Sequence, residues 1–251
     1  MSIISLKSVV KRFGTHTILD ELNLEVEEGE FLAIIGRSGE GKSVLLKHVV
    51  GLIQPDSGSV IVNGIDISDQ NSDFMAPGQV NTCGYVFQFA ALLDSLTVFE
   101  NIGIFELENG LSPYKIRPII VEKIKSVGLK EDILSKYPNE LSGGMKKRVG
   151  LARTLMQSPK VIIYDEPTTG LDPISSNLIH DLMKKTHDER KITSIVISHN
   201  LDIFKYATQV AMLYKGKILY KGPAATIWDC DNPYIHQFIR GLAEGPLEQT
   251  V

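Results

Sequence analysis

The apolar positions of this chain change period along its length. Leu22, Leu24 and Val26 alternate with polar residues, the spacing of a half-buried strand, and residues 3–13 and 18–27 read as two strands around a turn at Gly14-Thr15. Phe31 to Ile35 and Val161 to Tyr164 are unbroken apolar runs, which suit strands buried on both faces of a parallel sheet, and Ile192 to Ile197 reads as another buried strand. Val60-Ile61-Val62 before Asn63-Gly64, and the segments flanking Lys215-Gly216, read as hairpin strands. Gly84 to Phe87 is a further short strand. From about Leu92 to Leu141 the spacing turns helical: Ile116, Ile119, Ile120, Ile124 and Val127 recur at three- and four-residue steps, and Gly128 stands where a helix would end. Helices are also predicted over 141–157, from about Pro173, and in the tail from Pro223, where Trp228, Tyr234 and Phe238 would pack the tail helix down. Polar residues 68–81 read as loop with a short helix. The pattern predicts an α/β chain with an antiparallel β layer beside its core and a helical insertion.

Gly36-Arg37-Ser38-Gly39-Glu40-Gly41-Lys42-Ser43 lies between the Phe31–Ile35 strand and a helix predicted to run from Val44 to Leu52. Strand, glycine loop and helix together make a phosphate-binding P-loop. The glycines let several backbone N–H groups converge on one anion, and the helix N-terminus adds its dipole. Lys42 would bring a point charge to the β- and γ-phosphates, and the Ser43 hydroxyl is placed to ligate Mg²⁺. The strand 161–164 runs into Asp165-Glu166. Beside a P-loop, a strand-end carboxylate such as Asp165 can hold the metal shell, and Glu166 can polarise a water. Leu141-Ser142-Gly143-Gly144 opens a helix with Ser142 at the N-cap, a second glycine-rich helix N-terminus and so a second candidate anion site.

Composition narrows the setting. The chain has 251 residues, enough for one large domain or two intimate subdomains, and its net charge of -4 leaves no basic footprint for nucleic acid. Cys83 and Cys230 have no metal-ligand spacing and read as free thiols. His16, His48, His180, His187 and His236 read as structural or surface residues. No apolar run reaches the ~18 residues of a membrane span, and no apolar leader is expected.

The order of these motifs resembles the ATP-binding-cassette (ABC) ATPases. Leu141-Ser142-Gly143-Gly144-Met145 is similar to that family's signature, Val161 to Glu166 to its Walker B strand, Gln88 to its Q-loop glutamine, Gly170-Leu171-Asp172 to its D-loop and His199 to its switch histidine. Phe13 lies where the family places a ring that stacks on adenine. Met145 departs from the glutamine many members carry, which leaves the phosphate contacts of Ser142, Gly143 and Gly144 intact. The P-loop through His48, the segment Leu92 to Asn101, the signature through Arg148 and Glu166 to Ile174 look like the ATPase of phospholipid transporters that work with mammalian-cell-entry (Mce) domain proteins.

The resemblance implies a P-loop core over 1–88 and 159–240 that carries the β layer, a helical signature-bearing part over 89–158, and a tail over 241–251. It implies a head-to-tail homodimer that sandwiches two ATP molecules. Gly36 to Ser43 and Val44 would bind one nucleotide, faced by the partner's Ser142, Gly143 and Gly144. Ser43, Gln88 and Asp165 would hold Mg²⁺; Lys42, Glu166 and His199 would act in hydrolysis, and Asp172 would link the two sites. Membrane permease subunits would dock on the apolar stretch Phe87 to Phe105, placing the chain on the cytoplasmic side of the inner membrane. Three alternatives stay open: an importer ATPase for another solute, an ABC ATPase outside transport such as an iron–sulfur assembly component, and a P-loop kinase. The kinase would have no use for the signature or His199.

Overall fold

The computed structural model describes residues 1–68 and 82–248. Apart from Ser68, the loop and short helix expected over 68–81 lie outside the described residues. The chain forms two compact units, Met1–Val80 with Thr193–Val251, and Asn81–Ile192.

In the first unit, β1 (Ser2–Phe13) and β2 (His16–Glu27) pair antiparallel, and β4 (Ser57–Val62) and β5 (Ile65–Asp66) extend that sheet in the order β2-β1-β4-β5. Leu22, Leu24 and Val26 are buried while Asn23, Glu25 and Glu27 face water, so the alternation is that of a sheet covered on one side. A second set of strands is built on β3 (Phe31–Ile35), which pairs in parallel with both β8 (Thr193–Ile197) and β9 (Gln209–Tyr214). Every residue of β3 and β8 is buried, as the unbroken apolar run of β3 predicts; in β8 the burial takes in Thr193 and Ser194 as well. β10 (Lys217–Pro223) returns antiparallel on β9. Lys215 and Gly216 both take positive φ, the two-residue hairpin geometry whose twist matches the strands.

The helix after the P-loop, α1 (Lys42–Val49), ends three residues short of the predicted Leu52. Gly51 takes φ +71°, its N–H donates to the His48 carbonyl at 3.0 Å, and Leu52 N–H reaches back to the Lys47 carbonyl at 2.9 Å. That double closure is a Schellman stop, and it overrides the apolar pattern. In the tail, α7 (Pro233–Arg240) is anchored by buried Ile235 and Ile239, and Tyr234 packs on Tyr214 with ring centroids 5.5 Å apart. Trp228 meets Phe204 edge-on at 6.1 Å, and its carbonyl accepts from Arg240 of the tail helix at 3.4 Å.

In the second unit, β6 (Cys83–Val86) and β7 (Val161–Asp165) pair in parallel, Val86 opposite Tyr164. The helical stretch is not continuous. It breaks into α2 (Val98–Ile102), α3 (Ile104–Glu108), α4 (Pro113–Ser126) and two 3-10 turns, Glu131–Ser135 and Pro138–Glu140. Glycine and proline at 103, 110, 113, 128 and 138 punctuate it. On α4, Ile116, Ile120, Ile124 and Val127 are buried, but Ile119 is 45% exposed. At 100° per residue it sits roughly 95° from the middle of the others' face, outside the buried stripe. α5 (Gly143–Met156) and α6 (Pro173–Arg190) complete the unit.

Candidate active site

In the first unit, the phosphate loop grows from the end of β3. Gly36 takes φ +148°, and a Cβ there would lie 2.4 Å from the Leu213 carbonyl oxygen, so only glycine lets the loop leave the strand this close to β9. Gly41, the N-cap of α1 at φ +95°, is pressed against Ile18. Gly39, at φ +84°, faces open space at the loop tip beside exposed Ser38. The Lys42 ammonium is buried and donates to the carbonyls of Gly36 and Arg37, each at 2.7 Å, which holds it over the inside of the loop. Ser43 and Val44 open α1 and are half-buried. Glu40 accepts from the Lys215 backbone N–H at 2.6 Å, tying the loop to the β9–β10 turn.

Because Ile34 lies opposite Ile197, β3 and β8 end side by side. The P-loop and exposed His199, which follows β8, therefore leave the same carboxyl edge, where parallel sheets bind their ligands. Phe13 ends β1 opposite His16, two residues from the Ile18 that meets Gly41. It is 50% exposed with the Lys11 ammonium 5.7 Å from its ring, so it is not a core residue and offers a free face. The tail reaches the loop too. Arg37 donates to the Glu248 carbonyl, and the Glu248 carboxylate pairs with Lys215 at 2.7 Å.

In the second unit, parallel pairing brings Gln88 and the Asp165-Glu166 pair to one edge. The Gln88 amide donates to Glu166 Oε2 at 3.0 Å, and the Thr169 hydroxyl donates to the same oxygen at 2.9 Å. Glu166 takes φ +47°, an uncommon conformation for a side chain of its size. Tyr85, on β6, donates its phenol to Asp165 Oδ2 at 2.7 Å; burial and that carboxylate push the phenol pKa up, so it stays a donor. Tyr85 carries no signal in the sequence and Thr169, inside the Glu166 to Ile174 stretch, has no role assigned there, because each acts on a carboxylate across a turn or a neighbouring strand.

α5 organises this half. The exposed Ser142 caps it, accepting from the Met145 N–H at 3.3 Å. A Cβ on Gly143 would touch Leu171 at 3.5 Å, so the signature loop lies against the D-loop. Asp172 caps α6, accepting from the Ser175 N–H at 2.9 Å and its hydroxyl at 2.6 Å, and those bonds hold its carboxyl below the ordinary range. Further along α5, Arg153 donates to the carbonyls of Ala90 and Ala91, at 3.0 and 2.7 Å. Both alanines take positive φ, so the arginine clamps the tight turn that follows Gln88. Asn101, fully buried, donates to the Leu93, Leu96 and Thr97 carbonyls and accepts from the Leu93 N–H, which fixes the loop before α2.

The described residues hold no cluster of three or more His, Cys, Asp or Glu that would cage a metal. The candidate ligands are the Ser43 hydroxyl in the first unit and, in the second, the Gln88 amide and the Asp165 carboxylate. Each offers a hard oxygen of the kind taken by Mg²⁺, which keeps waters and phosphate oxygens in its own shell.

The ABC transporter family profile matches residues 19–169. The chain is 34% identical over 248 residues to the probable ribonucleotide transport ATP-binding protein mkl of Mycobacterium leprae, covering 97% of this chain and 70% of the relative. It is 33% identical over 248 residues to the intermembrane phospholipid transport system ATP-binding protein MlaF of Haemophilus influenzae, covering 98% of this chain and 93% of the relative. Among solved structures, the dimeric post-hydrolysis state of the ATP-binding cassette MJ0796, bound to ADP and Pi, aligns with a TM-score of 0.79 at 32% identity, over 88% of this chain and 98% of that one.

Proposed function

Because the chain belongs to the ABC transporter family and is an ATPase of it, we propose that it energises a permease that moves phospholipid, working with an Mce-domain lipid carrier. One observation carries the reading: a single chain bears both a P-loop and an exposed helix N-terminus capped by Ser142. One P-loop leaves a side of the γ-phosphate open to water. A signature helix from a second copy closes that side, so ATP itself becomes the adhesive of a head-to-tail dimer.

In this reading Gly36, Arg37, Ser38, Gly39, Glu40, Gly41, Lys42, Ser43 and Val44 bind the phosphates and Phe13 stacks on the base. Magnesium, when bound, would neutralise charge on the β- and γ-phosphates, held by Ser43, Gln88 and Asp165. Glu166 takes up the proton side of the chemistry: held by Gln88 and Thr169, its carboxylate orients the attacking water. Lys42, His199 and the partner's Ser142 surround the charge that develops on the γ-phosphate. Hydrolysis removes the adhesive and the dimer opens, a shift of population driven by ligand. Asp172 relays the state of one site to the other. The permease sits on the exposed apolar residues Phe89, Leu93 and Phe105. Among the described residues no helix is long and apolar enough to cross a membrane, so attachment to the cytoplasmic face of the inner membrane runs through that permease.

The similarity to MlaF over nearly the whole of both chains supports the lipid substrate. The test is mild extraction of the tagged chain from native membranes, with identification of bound proteins and lipids. A permease, an Mce-domain protein and phospholipid are expected. A permease with a soluble solute-binding protein overturns the lipid reading and leaves the ATPase; soluble partners alone overturn the transport reading.

A further inference from the structure

Lys147 sits on α5, two residues beyond the signature, and is 8% exposed. Its ammonium donates to the Thr169 carbonyl at 2.8 Å. Thr169 in turn gives its hydroxyl to Glu166 Oε2 at 2.9 Å, and Gln88 reaches the same oxygen at 3.0 Å. Burial pulls the lysine pKa down, and the Glu166 charge pulls it back up. A buried ammonium is costly, and a methionine of similar length would pack there with less desolvation, so fold stability gives no account of the charge.

We infer that Lys147 is a positioning residue that ties the signature helix to the hydrolytic glutamate of the same protomer. Two features carry this. The chain of contacts Lys147–Thr169–Glu166 joins α5 to a carboxylate whose backbone is in a strained conformation and so depends on its side-chain holders. Ser142 and Lys147 also lie on one rigid helix, within two turns. When Ser142 docks on the partner's nucleotide, the helix carries Lys147 with it, and the Thr169 loop sets Glu166 against the protomer's own water. Each active site thus senses whether the other is filled, through a lysine that touches neither nucleotide. The inference rests on the reading of Glu166 given above.

The test is steady-state hydrolysis of Mg·ATP by the full chain at concentrations that favour the dimer, with Glu166→Gln as the zero reference. Lys147→Met should lower kcat about tenfold with KM for ATP within about twofold of wild type. Lys147→Arg, which keeps charge and donors, should return kcat to within about threefold. If Lys147→Met melts below the assay temperature, Lys147→Gln decides on the same criterion, with a kcat loss of about threefold or more expected. Wild-type kcat in the Met or Gln variant overturns the inference. So does a joint change of kcat and KM that arginine does not rescue, the mark of structural support alone. Wild-type hydrolysis by Glu166→Gln overturns the reading of Glu166 instead, whatever the lysine variants do.

Discussion

At the scale of single residues, the site is made by groups that act through others. Tyr85 spends its phenol on Asp165. Tyr85→Phe should therefore raise the Mg²⁺ concentration for half-maximal ATPase about threefold while the chain stays folded, since one hydrogen bond to a half-buried carboxylate is lost. An Mg²⁺ titration checks it; an unchanged midpoint sinks the role. Cys83 shows the opposite, a half-buried group whose chemistry its surroundings suppress. Burial pushes its thiol up to about 12, so at pH 8 it should resist a maleimide in the folded chain and react once denatured, as mass spectrometry of the labelled peptide would show. Four of the sequence-picked residues, Lys42, Gln88, Asp165 and Glu166, have partners in their own unit at loop or strand ends. Tyr85 and Arg153 were silent in the sequence, and Lys147 and Thr169, though within stretches that carry the resemblance, had no role there, because a tyrosine in a strand or a lysine on a helix is unremarkable until its neighbour is known.

At the scale of elements, termini carry much of the design. α2 opens with a capping box: Thr97 accepts from the Glu100 N–H at 3.3 Å, and Glu100 accepts from the Thr97 N–H and hydroxyl, each at 2.7 Å. The Thr97 hydroxyl and N–H hold the Glu100 carboxyl below its ordinary pKa. A depressed folded pKa stabilises above the unfolded value and is lost as pH falls through the folded one. Glu100→Gln should therefore melt below wild type at pH 7, and the gap should close in acid below the carboxylate range. A gap that persists there would mean the carboxylate contributes by shape, not charge. The tail past α7 has its own lock. The Leu247 N–H donates to the buried Gln237 amide oxygen at 2.7 Å, and the Gln237 NH₂ donates to the Leu242 carbonyl at 3.3 Å. Gln237→Ala should free the residues after Gly241, seen as faster protease cleavage there with little change in the melting of the remainder. Cleavage at the wild-type rate would show the Arg37 and Lys215 contacts to Glu248 suffice.

For the whole molecule, the proposed role of ATP as adhesive as well as substrate makes stability depend on two concentrations. In Glu166→Gln, which should not consume it, Mg·ATP at a hundredfold its Kd should stabilise by about 2.7 kcal/mol. If the liganded state is a dimer, the melting temperature should also rise with protein concentration, and only with nucleotide present. Scanning calorimetry at two protein concentrations distinguishes the cases; a shift independent of protein concentration would leave nucleotide binding and remove the sandwich.

The sequence by itself determined what is local. A P-loop, a capped signature helix, a D-loop and a strand-end carboxylate pair each need only a few consecutive residues, because a tight glycine turn or a helix cap is satisfied by its chain neighbours. Strands such as Phe31–Ile35 and Val161–Asp165 were legible too, since burial on both faces favours a continuous apolar run. Only the tertiary structure decided which side chains hold the reacting groups. Tyr85 meets Asp165 across 80 residues of chain, Gln88 meets Glu166 across 78 and Lys147 meets Thr169 across 22. Such pairs follow no period, because they come from strand register and helix packing, which bring together positions with no fixed spacing in the chain.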